Sequence, residues 1–225
     1  MSAVFMTATG TDIGKTHVGA AYLRHRRERG EMPFAVKPLM SGYDPSRLEE
    51  SDAGRLLAAC GLDATEANVN AVCMKRFPDP LSPNVAARQS GVPLDYDDIL
   101  AFVNSRLLLN DGPGLVEGAG GVMSPVTDNW THADLISDLA MPCFLVTASY
   151  LGAVSHTLTA LESLSRRSVP VLAVIVSQPS ADAGAPTPLV DELARWTDLP
   201  LLAAPFARRP ADLEPLAVEM SRLAR

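Results

Sequence analysis

The 225-residue sequence is poor in lysine. Only three of its 19 basic residues are lysines, Lys15, Lys37 and Lys75, and arginine supplies the other 16. Arginine is therefore the generic positive charge here, and a lysine marks a position to inspect. Cysteine is scarce as well. Cys60, Cys73 and Cys143 are odd in number and widely spaced, with no CxxC pair and no nearby histidine cluster. That fits reduced thiols in a cytoplasmic protein better than a disulfide framework or a zinc site. No apolar run reaches the roughly 18 residues of a membrane-spanning helix. No basic leader precedes the first apolar segment, so no secretory signal is expected. Basic blocks are also missing. With a net charge of −7 and a pI near 5.1, a nucleic-acid groove or an anionic membrane surface is not the expected partner. His17, His25, His132 and His156 show no metal-ligand spacing, and no serine or cysteine sits in a nucleophile pattern.

What is present is an ordinary globular composition, 47% hydrophobic and 20% charged, in a chain long enough for a core without staples. One domain over residues 1–225 is expected. Short apolar runs alternate with amphipathic stretches. The strand candidates are Ala3–Ala8, Phe34–Leu39, Gly114–Glu117, Cys143–Ala148, Val169–Val176 and Leu199–Ala203. The helix candidates are Thr16–Arg29, Ser51–Ala59, Tyr96–Leu109, Ala133–Leu139, Ala153–Arg166, Leu189–Trp196 and Ala211–Leu223. Runs such as Val171–Val176 are apolar throughout, which marks strands buried on both faces of a mostly parallel sheet. Residues 68–93 and 178–188, rich in Pro, Asn and Ser, read as loops. In such a fold ligands bind outside the carboxyl ends of the strands, which selects the loops after Ala8, Leu39, Glu117, Ala148 and Val176.

Three motifs fall in those loops. Thr7-Ala-Thr-Gly-Thr-Asp-Ile-Gly-Lys-Thr16 joins the first strand to the first helix. A small-residue loop ending in Gly-Lys-Thr at a helix start is a phosphate cradle. Backbone N–H groups face the anion, Lys15 reaches the terminal phosphates and Thr16 can ligate Mg²⁺. The strict pattern G-x-x-x-x-G-K-S/T would need glycine at position 9, where this chain has Thr9, with Gly10 next. The fold class is therefore α/β: a single-domain P-loop NTPase-like fold, a mostly parallel sheet flanked by helices. The second motif is Val36-Lys-Pro-Leu-Met-Ser-Gly42. Pro38 biases Lys37 toward extended backbone at a strand end, either solvated or able to neutralise phosphoryl charge. The third is Val116-Glu-Gly-Ala-Gly-Gly121, whose glycines let backbone approach a ligand and whose Glu117 sits where a Walker-B acid would hold a metal. Asp52 is open to two readings, a second metal carboxylate or part of a helix cap.

Taken in order, the phosphate loop, Lys-Pro-Leu-Met-Ser-Gly, Ser51-Asp52, Leu81-Ser-Pro-Asn84 and Glu-Gly-Ala-Gly-Gly resemble the dethiobiotin synthetase family of biotin biosynthesis, from Val4 to about Phe206. The resemblance implies an ATP-dependent cyclo-ligase using Mg²⁺, CO₂ and 7,8-diaminononanoate. It implies a carbamate, then a carbamic-phosphoric anhydride, then closure of a ureido ring with release of ADP and phosphate. By the same resemblance Lys15, Lys37 and Thr11 are the catalytic residues. Thr16, Asp52 and Glu117 form the metal set. Asp12, Ile13, Gly14, Lys15, Thr16, His17, Glu117, Gly118, Ala119 and Gly120 bind nucleotide, with Gln178, Pro205 and Phe206 at the base. Ser41, Ser82, Pro83 and the segment Leu151-Gly152-Ala153-Val154 bind the diamine, the last across the interface of a homodimer. The family loop reads T-G-T-D-T-x-V-G-K-T, so Ala8 and Gly10 replace a glycine and an aspartate. Tyr150 and Ser155 stand where the family often has lysine and asparagine, and Gln178 where it often has asparagine. Two alternatives remain: a ParA/MinD-like nucleotide switch, against which the lack of a lysine in Ala8–Ile13 counts, and an amidoligase acting on another carboxylate.

Overall fold

The computed structural model describes residues 3–225; Met1 and Ser2, at the head of the expected domain, lie outside the described residues. The main sheet contains β1 (Ala3–Ala8), β2 (Phe34–Val36), β5 (Gly114–Glu117), β6 (Cys143–Ala148), β7 (Val171–Ser177) and β8 (Leu201–Ala204). A small second sheet contains β3 (Leu39–Ser41) and β4 (Lys75–Phe77). The main sheet runs in the order β2-β5-β1-β6-β7-β8 with every pair parallel.

Burial on both faces explains the unbroken apolar runs. On one face Val4, Met6 and Ala8 of β1 pack with Val18, Ala21 and Tyr22 of α1 (Lys15–Glu28) and Ala217 and Met220 of α9 (Glu214–Leu223). Phe5 points the other way, into a layer built by α5 (Tyr96–Leu109), α6 (His132–Asp138), α7 (Ala153–Arg166) and α8 (Pro186–Leu193). Val18, Ala21 and Tyr22 are the stripe that the helical spacing predicts. Gly30, at φ +80°, carries the chain out of α1 in left-handed backbone. Among the described residues no helix is long and apolar enough to cross a membrane.

Four expectations are corrected. The strand expected over Phe34–Leu39 divides at Lys37-Pro38. Pro38 has no N–H for a ladder. Lys37 N–H donates to the Val72 carbonyl (2.8 Å), and the Pro38 carbonyl accepts from Met74 and Lys75, so the chain leaves β5 and founds the second sheet with β4. Residues 68–93 are not a loop. They hold most of α3 (Glu66–Val72), then β4 and α4 (Pro83–Ser90). Thr65 caps α3, and Pro83 begins α4, which ends at Gly91 with φ +65°. The helix expected at Leu189–Trp196 lies at Pro186–Leu193, because Pro186 is accepted at its first turn. Finally, a 3₁₀ turn at Pro210–Leu213 precedes α9 where one continuous helix is expected.

Phe144 lies fully buried in β6, its ring tilted against Tyr22 at 6.4 Å. Phe144→Ala is expected to lower the unfolding free energy by about 3–5 kcal/mol, measured by urea denaturation.

Candidate active site

The chain runs outward from β1 to β2, returns to β5, then crosses to β6 on the other side of β1. That reversal leaves a crevice at the carboxyl end of β1, where an open parallel sheet takes its ligand. A cleft of about 940 Å³ lies there. The loop after β1 enters it and passes into α1 through Gly14, at φ +91°. Only glycine suits this position, since a Cβ would be strained and would press on Ser177 Oγ at 3.3 Å. Ser177 Oγ in turn donates to the Ile13 carbonyl, tying the loop to the end of β7. Ile13 itself is buried, whereas Thr11 and Asp12 are exposed at the cleft, Asp12 in left-handed backbone at φ +56°.

Of the two motif lysines, Lys37 pairs directly with carboxylates and Lys15 bonds a loop carbonyl. Lys15 is buried, and its Nζ donates to the Gly10 carbonyl at 2.9 Å. Burial, then repulsion from Lys37, pulls its pKa down to about 8, against the partial support of Glu117, Asp52 and Asp12. Lys37 is wholly buried. Its Nζ lies 2.6 Å from Glu117 Oε1, 2.8 Å from Asp52 Oδ2 and 3.2 Å from the Gly118 carbonyl. Burial alone would lower its pKa, but the two carboxylates outweigh it and hold the ammonium charged above the usual lysine value. The same balance acts on Asp52: burial pushes it up, and Lys37 and Thr16 bring it below the ordinary carboxylate value.

Thr16 Oγ1 stands 2.9 Å from Asp52 Oδ1 and 2.8 Å from Glu117 Oε1, so one hydroxyl faces two carboxylates. Asp52 is not the helix cap. Ser51 accepts the Gly54 N–H at 3.0 Å, and Asp52, the first residue of α2 (Asp52–Cys60), is left to face Lys37. Glu117 is fully buried, yet its Oε2 has no hydrogen-bond partner. An orphaned carboxylate oxygen beside a hydroxyl and a second carboxylate is an oxygen donor set suited to a hard divalent cation.

The glycine-rich loop after β5 is held by a residue that sequence reasoning passed over. His132 Nε2 accepts the Ala119 N–H at 2.9 Å, and Nδ1 lies 2.9 Å from the Ser124 carbonyl. That pairing requires the neutral Nδ1–H tautomer, and burial keeps the ring neutral by lowering its pKa to about 4. Ser124 Oγ accepts the Gly121 N–H at 2.7 Å, and Gly120 turns at φ +80°. Ala119 and Gly120 line the cleft, while Glu117 and Gly118 lie behind it. No short-range motif marks His132. Its neighbours Thr131 and Asp134 form a capping box, which signals only the start of α6.

His17, Gln178, Pro205 and Phe206 line one part of the cleft, and Ser41, Ser82 and Pro83 another. Leu151-Gly152-Ala153-Val154 is not brought to it. Leu151 is fully exposed ahead of α7, and Ala153 is buried beneath the helix. Just before this segment, the Tyr150 hydroxyl lies 3.4 Å from Thr9 Oγ1 of the phosphate loop and 3.0 Å from His156 Nδ1.

A family model described as an AAA domain matches residues 2–205. The chain is 48% identical over 187 residues to the ATP-dependent dethiobiotin synthetase BioD of Phenylobacterium zucineum, covering 83% of this chain and 80% of that protein. It is 45% identical to the BioD of Caulobacter sp. (strain K31), covering 91% and 88%. With the BioD of Anaeromyxobacter sp. (strain K) the identity is 34%, over 100% and 95%. The chain belongs to the dethiobiotin synthetase family.

The protein is thus a ligase of that family on a P-loop fold. A ParA family ATPase from Chlorobium tepidum shares the fold, with a TM-score of 0.55 at 12% identity, covering 100% of this chain and 92% of that one. Ala8 and Gly10, which stand where the family loop has glycine and aspartate, are both engaged within the protein. Ala8 is buried and its carbonyl accepts the Val122 N–H, while the Gly10 carbonyl anchors Lys15.

Lys15 is a cation below about pH 8 and neutral above it, and only the cation attracts a polyphosphate. ATP affinity is therefore expected to fall as pH rises past 8, by up to about tenfold per unit. Isothermal titration calorimetry between pH 6.5 and 9.5 would show it.

Proposed function

We propose that this protein is an ATP-dependent dethiobiotin synthetase, closing the ureido ring on 7,8-diaminononanoate with CO₂ or bicarbonate as the carbon source. One amine of the diamine adds to CO₂ and loses a proton, giving a carbamate. A carbamate oxygen attacks the γ-phosphorus of ATP, and the bond to the β-phosphate oxygen breaks with release of ADP. The second amine then attacks the carbonyl carbon of the carbamic-phosphoric anhydride. Phosphate leaves, that amine loses its proton, and the ring is closed.

The observation that carries this reading is the Lys37–Glu117–Asp52–Thr16 cluster at the head of the phosphate loop, in which Lys37 and Glu117 are buried. The reaction needs no enzyme nucleophile; it needs reactants held together and fixed positive charge around a transferring phosphoryl group. Lys37 supplies a charge that does not titrate near neutral pH, and Lys15 a second at the loop. Thr11, exposed at the cleft, is assigned with Lys37 to the carbamate and phosphoryl oxygens, and Asp12 beside it to the nucleotide site. Thr16, Asp52 and Glu117 would hold Mg²⁺, which supplies countercharge to the triphosphate when bound. Ser41 has a buried Oγ without a hydrogen-bond partner and lines the cleft, which supports a contact with the diamine near Ser82 and Pro83. The exposure of Leu151, off its own cleft, supports a homodimer in which Leu151–Val154 completes the site of the second copy. The three cysteines are free thiols, which supports a cytoplasmic protein.

Incubation with ATP, Mg²⁺, bicarbonate and 7,8-diaminononanoate is expected to yield dethiobiotin by mass spectrometry, with none formed when any component is omitted. Lys37→Gln should lower kcat by about 100-fold or more while leaving ATP affinity within a few-fold. An unchanged kcat would remove Lys37 from its role. A native mass of one chain would remove the shared site.

A further inference from the structure

We infer that Asn84 and Asp128 are positioning residues that fix the Ser82 hydroxyl as a hydrogen-bond acceptor. The substrate group received there is an amine N–H, an assignment that rests on the diamine reading above. Ser82 immediately precedes α4, where a serine side chain ordinarily accepts a backbone N–H of the first helical turn. It makes no such bond. Its hydroxyl donates instead to Asn84 Oδ1 at 2.8 Å, and Ser82 lines the cleft. Asn84 Nδ2 donates in turn to Asp128 Oδ1 at 3.0 Å, and the Arg88 guanidinium donates to the same oxygen.

The direction of each bond follows from what the groups are able to do. A carboxylate only accepts, and a guanidinium only donates. Asp128 therefore draws the NH₂ end of the Asn84 amide, because the flipped amide would set oxygen against oxygen. Oδ1 is thereby turned to Ser82, where it needs a donor. The single proton of the Ser82 hydroxyl is committed to it, and no backbone N–H of α4 takes up the lone pairs. What Ser82 offers the cleft is an acceptor. An amine N–H is its complement, and an amine that donates there keeps its own lone pair for attack on carbon. A carbonyl, carboxylate or phosphate oxygen brings no proton and is disfavoured at this point. Ser41 differs, since its hydroxyl has no partner and is free to donate or accept.

Asp128 lies in a turn closed by the Val126 and Thr127 N–H groups on the Trp130 carbonyl. The same connection between β5 and α6 carries Ser124, which holds Gly121 and lines the cleft. The relay thus ties the wall that receives the amine to the loop beside the phosphates. The Arg88–Asp128 pair is exposed and adds little stability. Its effect is on polarity at Ser82.

The test uses the full chain without ATP. Calorimetry measures binding of 7,8-diaminononanoate and of its two analogues that carry a carbonyl oxygen in place of one amine. Dethiobiotin formation is followed separately. Asn84→Leu and Asp128→Ala are each expected to weaken the diamine by about three- to tenfold and to leave ATP affinity unaltered. Asp128→Asn should restore binding, because its oxygen still accepts from Asn84 and Arg88. In a Ser82→Ala background neither loss should recur. One carbonyl analogue should bind about tenfold more weakly than the diamine, and Asn84→Leu should narrow that ratio by releasing the Ser82 proton. Losses that add to that of Ser82→Ala, or a ratio that Asn84→Leu leaves unchanged, would overturn the inference. If Asn84→Leu does not fold, the surface variant Asp128→Ala decides by the same ratio. Diamine binding without dethiobiotin would remove the proposed reaction while these constants still decide the inference. Dethiobiotin formed with diamine affinity unchanged in Ser82→Ala would do the reverse, and absence of diamine binding would remove both.

Discussion

A lysine ammonium with no access to water, clasped by two carboxylates, is the constraint around which this site is built. Lys37 comes from the end of β2, Glu117 from the end of β5, and Asp52 from the start of α2. Lys37 and Glu117 are costly to bury alone and offset one another, while Asp52, half-exposed, joins them from the cleft. Thr16 extends the contact to α1, so four elements meet within hydrogen-bond distance. Removing Lys37 would leave the fully buried Glu117 carboxylate without its ion-pair partner. A site so interdependent resists drift in geometry, which suits chemistry that depends on fixed charge.

The loops around this cluster are held by hydrogen bonds from distant parts of the chain. Ser177 secures the phosphate loop from β7, His132 secures the glycine-rich loop from α6, and Gln178 secures the pocket wall from across the β7–β8 connection. All three are neutral side chains bonded to backbone groups. They impose shape without adding to the electrostatic field, which comes from the lysines and carboxylates. Charge and shape are thus supplied by separate residues.

Much of the fold was legible because its signals are local. β1, β5, β6, α5 and α7 have the bounds that apolar runs and helical spacing predict. The phosphate loop is readable because Gly14, Lys15 and Thr16 are adjacent and each performs one physical task. The second sheet was not readable: its strands have three residues each, and their pairing follows from Pro38 expelling the chain from the main sheet. Asp52 could not be separated from a cap by sequence, since Ser51 and Asp52 are both capping residue types. The hydrogen bond of Ser51 to Gly54 decides it.

From the sequence alone came the layered α/β architecture, the phosphate loop, the two lysines that matter and the resemblance to one ligase family. These rest on spacing within a few residues, where sequence and geometry are nearly the same thing. The tertiary structure decided which carboxylates face Lys37, that His132 is neutral and holds a loop, that Gln178 is engaged internally, and that Leu151–Val154 lies away from its own cleft. Those facts depend on residues up to 80 positions apart meeting in space. No local pattern encodes such meetings; the order of strands in the sheet does.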